Sequence, residues 1–216
     1  MKDWSFEGFA SEFDSHVREQ LPWYELVTES VAYIARNYLP QYGIIYDIGC
    51  STGNMSKALF PLVDERMGTI LALDSDESMV KAYQHNIIRS RVGVLHARAE
   101  DFDYDDFDVG VVFLTAMFLP VQSQHIFIDN LYNKLKEGGA IIIVDKSCEE
   151  DGYFSTVMKR LTMYWKLKNG AHAEDIINKE LSLSGVQRPL DADLLRCFGA
   201  KQFFQLGEFK GWVIEK

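Results

Sequence analysis

The feature that most constrains this chain is a rhythm of short apolar runs separated by helical segments. Ile44–Ile48 (IIYDI), Thr69–Leu73 (TILAL), Val92–Leu95, Asp108–Leu114 (DVGVVFL) and Ala140–Val144 (AIIIV) are short, and nearly every residue in them is apolar. Runs of that kind are strands buried on both faces, which calls for a parallel sheet covered by helices on either side. The spacing predicts helices over 54–63, 77–88 and 124–136. The last carries Ile128, Leu131 and Leu135 at helical intervals, with Gly138-Gly139 as its cap. Upstream, the stretch from Leu21 to Tyr38 has apolar residues at Leu26, Ile34 and Tyr38, with Val27 and Val31 between, and reads as an amphipathic helix ended near Pro40. The link before the fourth strand, AEDFDYDDF, is short and acidic and reads as loop.

Beyond the fifth strand the pattern breaks. Residues 150–198 read as two or three helices, and KQFFQL and FKGWVIE, separated by Gly207 and Glu208, read as a closing antiparallel hairpin. The expected fold class is α/β: a doubly wound, mostly parallel sheet with a helical insertion and a C-terminal antiparallel hairpin. A length of 216 residues suits one domain, divided into a helical cap (1–40), a core (41–149), the insertion (150–198) and the hairpin (199–216).

Composition bounds the function classes. A formal net charge of −10 repels phosphate backbones, so nucleic acid is not the default partner. The basic, aromatic-interleaved stretch KRLTMYWKLKNG is the local exception, read first as lysines lying along a helix surface and second as a nucleic-acid contact. The acidic run DFDYDDFD lacks the spacing and glycine of a calcium loop and reads as a solvated face, so no metal is expected. Cys50, Cys148 and Cys197 are scattered and odd in number, which favours a reducing compartment. The start of the sequence is mixed and acidic rather than signal-like, and no apolar run reaches 18 residues. The expectation is a cytoplasmic protein with no membrane contact.

The segment YDIGCSTGN, residues 46–54, sits in the first strand–helix turn, where ligands bind in open α/β sheets. Glycine at Gly49 and Gly53 permits positive φ and close backbone approach. Ser51 stands where a dinucleotide fingerprint has its second glycine, which argues against a pyrophosphate and suits an amino-acid moiety read by backbone groups. The second strand ends in Asp74, 25 residues after Gly49, where a carboxylate can accept both hydroxyls of a ribose; the plainer reading is a helix N-cap. An amino-acid grip and a ribose grip together describe S-adenosylmethionine.

These motifs resemble those of class I S-adenosylmethionine-dependent methyltransferases. Within that group, the order of DWSF (3–6), FDSHV (13–17), LPWY (21–24), YDIGCSTG, LALDSDESMV, TAMFLP, YNKLKEGGAIIIVDK, WKLKNG (165–170) and FKGWVIEK is similar to that of carboxy-S-adenosylmethionine synthases. The latter make carboxy-S-adenosylmethionine from the cofactor and prephenate, for modification of tRNA wobble uridine. The resemblance implies a cofactor site at Tyr24, Gly49, Cys50, Ser51, Gly53, Asp74, Ser75, Arg98 and Ala99, and a homodimer. The bound cofactor would be S-adenosylmethionine, S-adenosylhomocysteine or carboxy-S-adenosylmethionine.

The sequence also departs from the resembled pattern. Arg98 replaces the acidic residue that takes the adenine amino group, with Glu100 as the nearby substitute, and Phe113 replaces an asparagine. The arginine for the product carboxylate aligns with Leu194, leaving Arg196 and Arg188 as candidates for that task. Tyr24, Phe118 and Trp165 are candidates for an aromatic wall around the substrate, and His16 or His172 for a general base. Four functions are in play: methyl transfer to a small molecule, carboxy-S-adenosylmethionine synthesis, cofactor binding without catalysis, and a nicotinamide oxidoreductase, which Ser51 disfavours.

Overall fold

The computed structural model describes residues 13–148 and 152–216; the DWSF motif and the first part of the expected cap lie outside them. Two helices, α1 (Phe13–Gln20) and α2 (Tyr24–Ala35), precede the alternating core. The core runs β1 (Ile44–Ile48), α3 (Asn54–Arg66), β2 (Thr69–Asp74), α4 (Glu77–Asn86), β3 (Val92–His96), β4 (Phe107–Phe113), a 3-10 turn (Ala116–Phe118), α5 (Val121–Lys134) and β5 (Leu135–Lys146). The insertion supplies α6 (Gly152–Lys168), α7 (Ala173–Ser182) and α8 (Ala192–Cys197) before β6 (Lys201–Leu206) and β7 (Phe209–Glu215).

The seven strands form one sheet in the order β3-β2-β1-β4-β5-β7-β6. The first five are parallel, and β7 runs antiparallel between β5 and the edge strand β6. This is the expected doubly wound sheet with its C-terminal hairpin and helical insertion. The chain moves outward from β1 to β3 and then returns to β4 on the other side of β1. That reversal opens a crevice at the carboxyl ends of β1 and β4. Strand β4 is buried along its whole length, as a central strand covered on both faces must be. One apolar core packs α2 and α3 against one face, with Val31 and Leu59 fully buried, and a second packs α5 against the other, with Phe127 and Leu131.

Two expectations about helices need correction. In α2 the buried stripe is Val27, Val31 and Ala35, at intervals of one helical turn, whereas Leu26 is 68% exposed. The glycine pair at 138–139 does not cap α5, which ends at Lys134; both residues lie inside β5. Gly138, at φ +79, donates its amide to the Lys216 carbonyl at 2.8 Å. A side chain on Gly139 would meet the Asp108 carbonyl at 2.5 Å, so the glycine serves the close passage of β5 beside β4.

The two faces of α2 give a direct check. Val31→Ala is expected to cost about 2 kcal/mol, whereas Leu26→Ala should change stability by less than about 0.5 kcal/mol. Urea melts of the two variants decide it, and equal losses would show that the helix is rotated from this register.

Candidate functional site

The turn after β1 is built before any ligand arrives. Gly49 and Cys50 both donate their amides to the Leu73 carbonyl, at 2.8 and 3.0 Å. Ser51 donates its own to Asp74 Oδ2 at 2.8 Å. Three successive N–H groups are thus engaged inside the protein, which leaves none of them for a ligand carboxylate, while the Cys50 carbonyl accepts from Gly53 N at 2.9 Å and keeps a second lone pair. Gly49 (φ +73) is packed under Thr115, whose Oγ1 would lie 2.1 Å from an added Cβ. Gly53 (φ +95) is the N-cap of α3 and packs against Ile87. Ser51 and Leu114 hold left-handed backbone at φ 48 and 57, a strained conformation for residues with a side chain.

The plainer reading of Asp74 is excluded by geometry. The N-cap of α4 is Asp76, whose carboxylate accepts from the amides of Ser78 and Met79. Asp74 accepts from Ser51 N and, through Oδ1, from Asp76 N at 2.9 Å. Each oxygen retains a second lone pair for a ligand hydroxyl. Burial raises the Asp74 carboxyl above its ordinary range, and the amides of Asp76 and Ser51 partly offset this.

These groups open onto a cavity of about 310 Å³, of the size that takes a small organic ligand. Tyr24, Gly49, Cys50, Ser51, Asp74, Ser75, Arg98 and Ala99 all line it; Gly53 stands one step back. Tyr24 reaches in from α2, accepting from Asn54 Nδ2 at 3.3 Å and meeting Phe113 edge-on at 5.5 Å. Phe113 and Phe118 complete an aromatic wall. Helix α1 closes over the turn because Asp14 accepts from Thr52 Oγ1 at 2.6 Å and Asn54 Nδ2 at 2.9 Å. At the far side Glu100 lines the cavity with its side chain only 10% exposed and paired to the exposed Arg98, which also meets Asp101 at 3.2 Å. An acceptor is therefore present beside Ala99 in spite of Arg98. Cys50 is held as a neutral thiol, because burial and then the carboxylates of Asp47 and Asp74 push its pKa well up.

The other end of the cavity was not foreseen. Lys146 from the end of β5, Lys166 from α6, and Lys179 and Glu180 from α7 converge on it with His16 from α1. In sequence each lysine looks like an ordinary helix or strand-end cation, and only the tertiary fold brings them together. His16 lies 2.8 Å from Lys179 Nζ, and burial, then Lys179, lowers its pKa to about 4. It is a neutral imidazole that accepts from the ammonium. Trp165, Arg188, Arg196 and His172 stand outside the cavity lining. Trp165 lies beneath Lys168 at 4.9 Å, Arg188 donates its amide to the Met117 carbonyl, Arg196 pairs with Asp193, and His172 precedes α7 as its N-cap. Of the foreseen substrate-side residues the structure thus brings Tyr24, Phe118 and His16 to the cavity, and leaves Trp165, Arg188, Arg196 and His172 outside it.

Two buried carboxyls frame the pocket. Asp47 accepts from Ser56 Oγ at 2.6 Å, and burial raises its pKa to about 6. Asp145 organises the 3-10 turn by accepting from the amides of Thr115 (3.1 Å), Met117 (3.2 Å) and Lys146 (2.8 Å), and burial raises it to about 7.

Comparison with known proteins agrees with this architecture. Residues 46–143 match the family described as methyltransferase domain. A carboxy-S-adenosyl-L-methionine synthase of Staphylococcus epidermidis is 28% identical over 87% of this chain and 82% of its own length. A solved candidate S-adenosyl-L-methionine-dependent methyltransferase of Methanococcus maripaludis superposes with a TM-score of 0.61 at 20% identity, covering 100% of this chain and 95% of its own. The solved DhpI–SAH complex superposes with a TM-score of 0.53 at 17% identity, over 65% of each chain. No helix among the described residues is long and apolar enough to cross a membrane.

A carboxyl whose pKa is raised by folding contributes stability that is fully present below its unfolded value and is lost as pH rises through the folded one. For Asp47 that window runs from about 4 to about 6. The Asp47→Asn variant should therefore lose less melting temperature than the parent as pH is raised across this window. Parallel thermal melts check it; identical slopes would show that Asp47 is ionised throughout.

Proposed function

We propose that this S-adenosylmethionine-dependent transferase holds its cofactor along the β1–β2 edge of the cavity and passes a methyl group to a small molecule lying toward α6 and α7. The carrying observation is that the turn at 49–51, the Asp74 carboxylate and the Arg98–Glu100 segment open onto one cavity in the order amino acid, ribose, base. The donor set fits. Turn carbonyls suit the ligand ammonium, the spare lone pairs of Asp74 suit two hydroxyls, and Glu100 offers an acceptor for an exocyclic amine. When bound, the cofactor supplies a sulfonium carbon open to in-line displacement. The protein's part is to orient the partners between Tyr24, Phe113 and Phe118 and to keep water out.

A second reading is carboxy-S-adenosylmethionine synthesis. It is favoured by the relative from Staphylococcus epidermidis, which carries that name and aligns over 87% of this chain. The expected arginine is replaced by Leu194, which packs into the core around α5, so another cation would have to take the carboxylate. Cofactor binding without turnover is the third reading, and its motive is weakened by Glu100. A homodimer in the cytoplasm belongs to the same proposal. The exposed apolar residues Tyr153, Phe154 and Leu167 on α6 and Ile177 and Leu181 on α7 support it as a surface for a second copy.

Calorimetry should show S-adenosylhomocysteine binding to the parent chain, with affinity reduced about ten- to hundredfold in Asp74→Ala through loss of two hydrogen bonds to a charged acceptor. An unchanged affinity would remove the ribose assignment. Mass spectrometry of the cofactor after incubation with and without prephenate separates the readings. A carboxylated product supports the second, a demethylated cofactor with an acceptor library supports the first, and an intact cofactor in both arms leaves the third. Sedimentation equilibrium should give twice the mass of one chain, and Leu181→Glu should return the monomer.

A further inference from the structure

The lysine end of the cavity asks for a partner of its own. Lys146 and Lys166 are only 7% and 6% exposed, an uncommon state for ammonium groups. Each ammonium carries three N–H donors. Among the described residues the Lys146 ammonium makes one hydrogen bond, to Gln187 Oε1 at 3.2 Å, and stands 3.8 Å from both Glu180 and Glu208, beyond hydrogen-bond reach. Lys166 makes one, to Glu180 Oε1 at 3.3 Å. Two buried cations therefore share one cavity-lining carboxylate and keep donors that an oxygen-rich anion would satisfy. Lys179, which meets His16 at 2.8 Å, lines the same cavity, as do Thr162 and Gln187 with their hydroxyl and amide groups.

The electrostatics point the same way. Burial pulls the Glu180 carboxyl upward, yet Lys146 and Lys166 outweigh this and hold it below its ordinary value. Lys179 is lowered to about 8, chiefly by burial and then by Lys166. Lys146 and Lys166 share Glu180 and repel one another across the cavity end, a charge imbalance that a bound anion would relieve. A sulfonium cofactor in the same cavity would add one more positive charge, which strengthens the need.

We propose that this cavity end is an oxyanion subsite, in which Lys146 and Lys166, with Lys179 beside them, bind a carboxylate of the second substrate. The substrate class is then a small organic acid rather than a neutral amine or phenol. The lysines supply the cation that Leu194 does not, from α6, α7 and the end of β5 rather than from α8. The substrate role rests on the transferase reading; the anion binding itself does not.

The test uses the full chain with malonate as the anionic probe and malonamide as its neutral counterpart. Binding is followed by calorimetry and thermal shift, with and without S-adenosylhomocysteine. Malonate should bind and raise the melting temperature, and malonamide should not. Lys166→Met and Lys146→Met should each weaken malonate at least about tenfold, the scale of one lost charge-assisted hydrogen bond, and leave S-adenosylhomocysteine within about twofold. Crystals of the unaltered chain soaked in bromide should show an anomalous peak among the three ammonium groups, a readout that needs no variant to fold. Equal responses to acid and amide, a malonate response that survives both substitutions, or the absence of bromide from the cluster would overturn the subsite. Failure of S-adenosylhomocysteine to bind, with the malonate response intact, would instead remove the transferase reading and leave the anion site standing.

Discussion

The carbonyl of Leu73 and the carboxylate of Asp74 hold the site together. Between them they take the amides of Gly49, Cys50 and Ser51, so the turn after β1 is fastened to the end of β2. Parallel strands are joined only by their ladder, and the crevice beyond their ends has no backbone pairing of its own. These bonds extend the β1–β2 contact past the last ladder pair, Ile48 with Leu73, into the turn. They also decide what the turn can recognise. With its donors directed inward, the turn has no amide at 49–51 left for a ligand carboxylate, and these internal bonds are in place without a ligand.

The strands were legible because a buried parallel strand must be short and apolar, and few other elements are. β1 and the two hairpin strands begin and end at the residues the sequence suggested. What failed was local chemistry with two physical meanings. A glycine pair after a helix pattern commonly caps it, but at 138–139 it serves a strand that passes close beside β4 and meets the end of the chain. Leu26 matched a helical period as well as Val27 did, and only packing against α3 and the sheet decided which face is inside. For the candidate site the division is sharper. The glycine turn and Asp74 form a local signature on adjacent strands, so sequence could name them. Lys146, Lys166 and Lys179 lie on three elements separated by loops of unconstrained geometry, and no periodicity announces that they meet.

The charge layout follows the same split. The surface is acidic overall, yet one end of the cavity is cationic and the other is walled by Asp47, Asp74 and Glu100. An acidic exterior discourages phosphate polymers, whereas a recessed cationic pocket still admits a small acid. The lysines of the KRLTMYWKLKNG stretch fit this arrangement: Lys166 turns inward to the cavity, and Lys168 lies over Trp165 at 4.9 Å.

The two ends of the cavity also differ in what supports them. The end proposed for the cofactor rests on β1, β2 and β4, strands whose burial leaves little room for movement. The lysine end rests on α6 and α7, which contact the rest of the chain chiefly through α1, β6 and each other. Asn169, just past α6, donates to the carbonyls of Arg18 and Glu19 at 2.9 and 2.7 Å, and Asp14 at the other end of α1 accepts from Thr52 and Asn54. Helix α1 is therefore hydrogen-bonded at both ends, to the residues following the glycine turn through Asp14 and to the insertion through residues 18 and 19. Under the proposed reading, the cofactor would be gripped by groups carried on the sheet, and the second substrate would meet Lys146 at the end of β5 together with helices tied to the turn through one short strut.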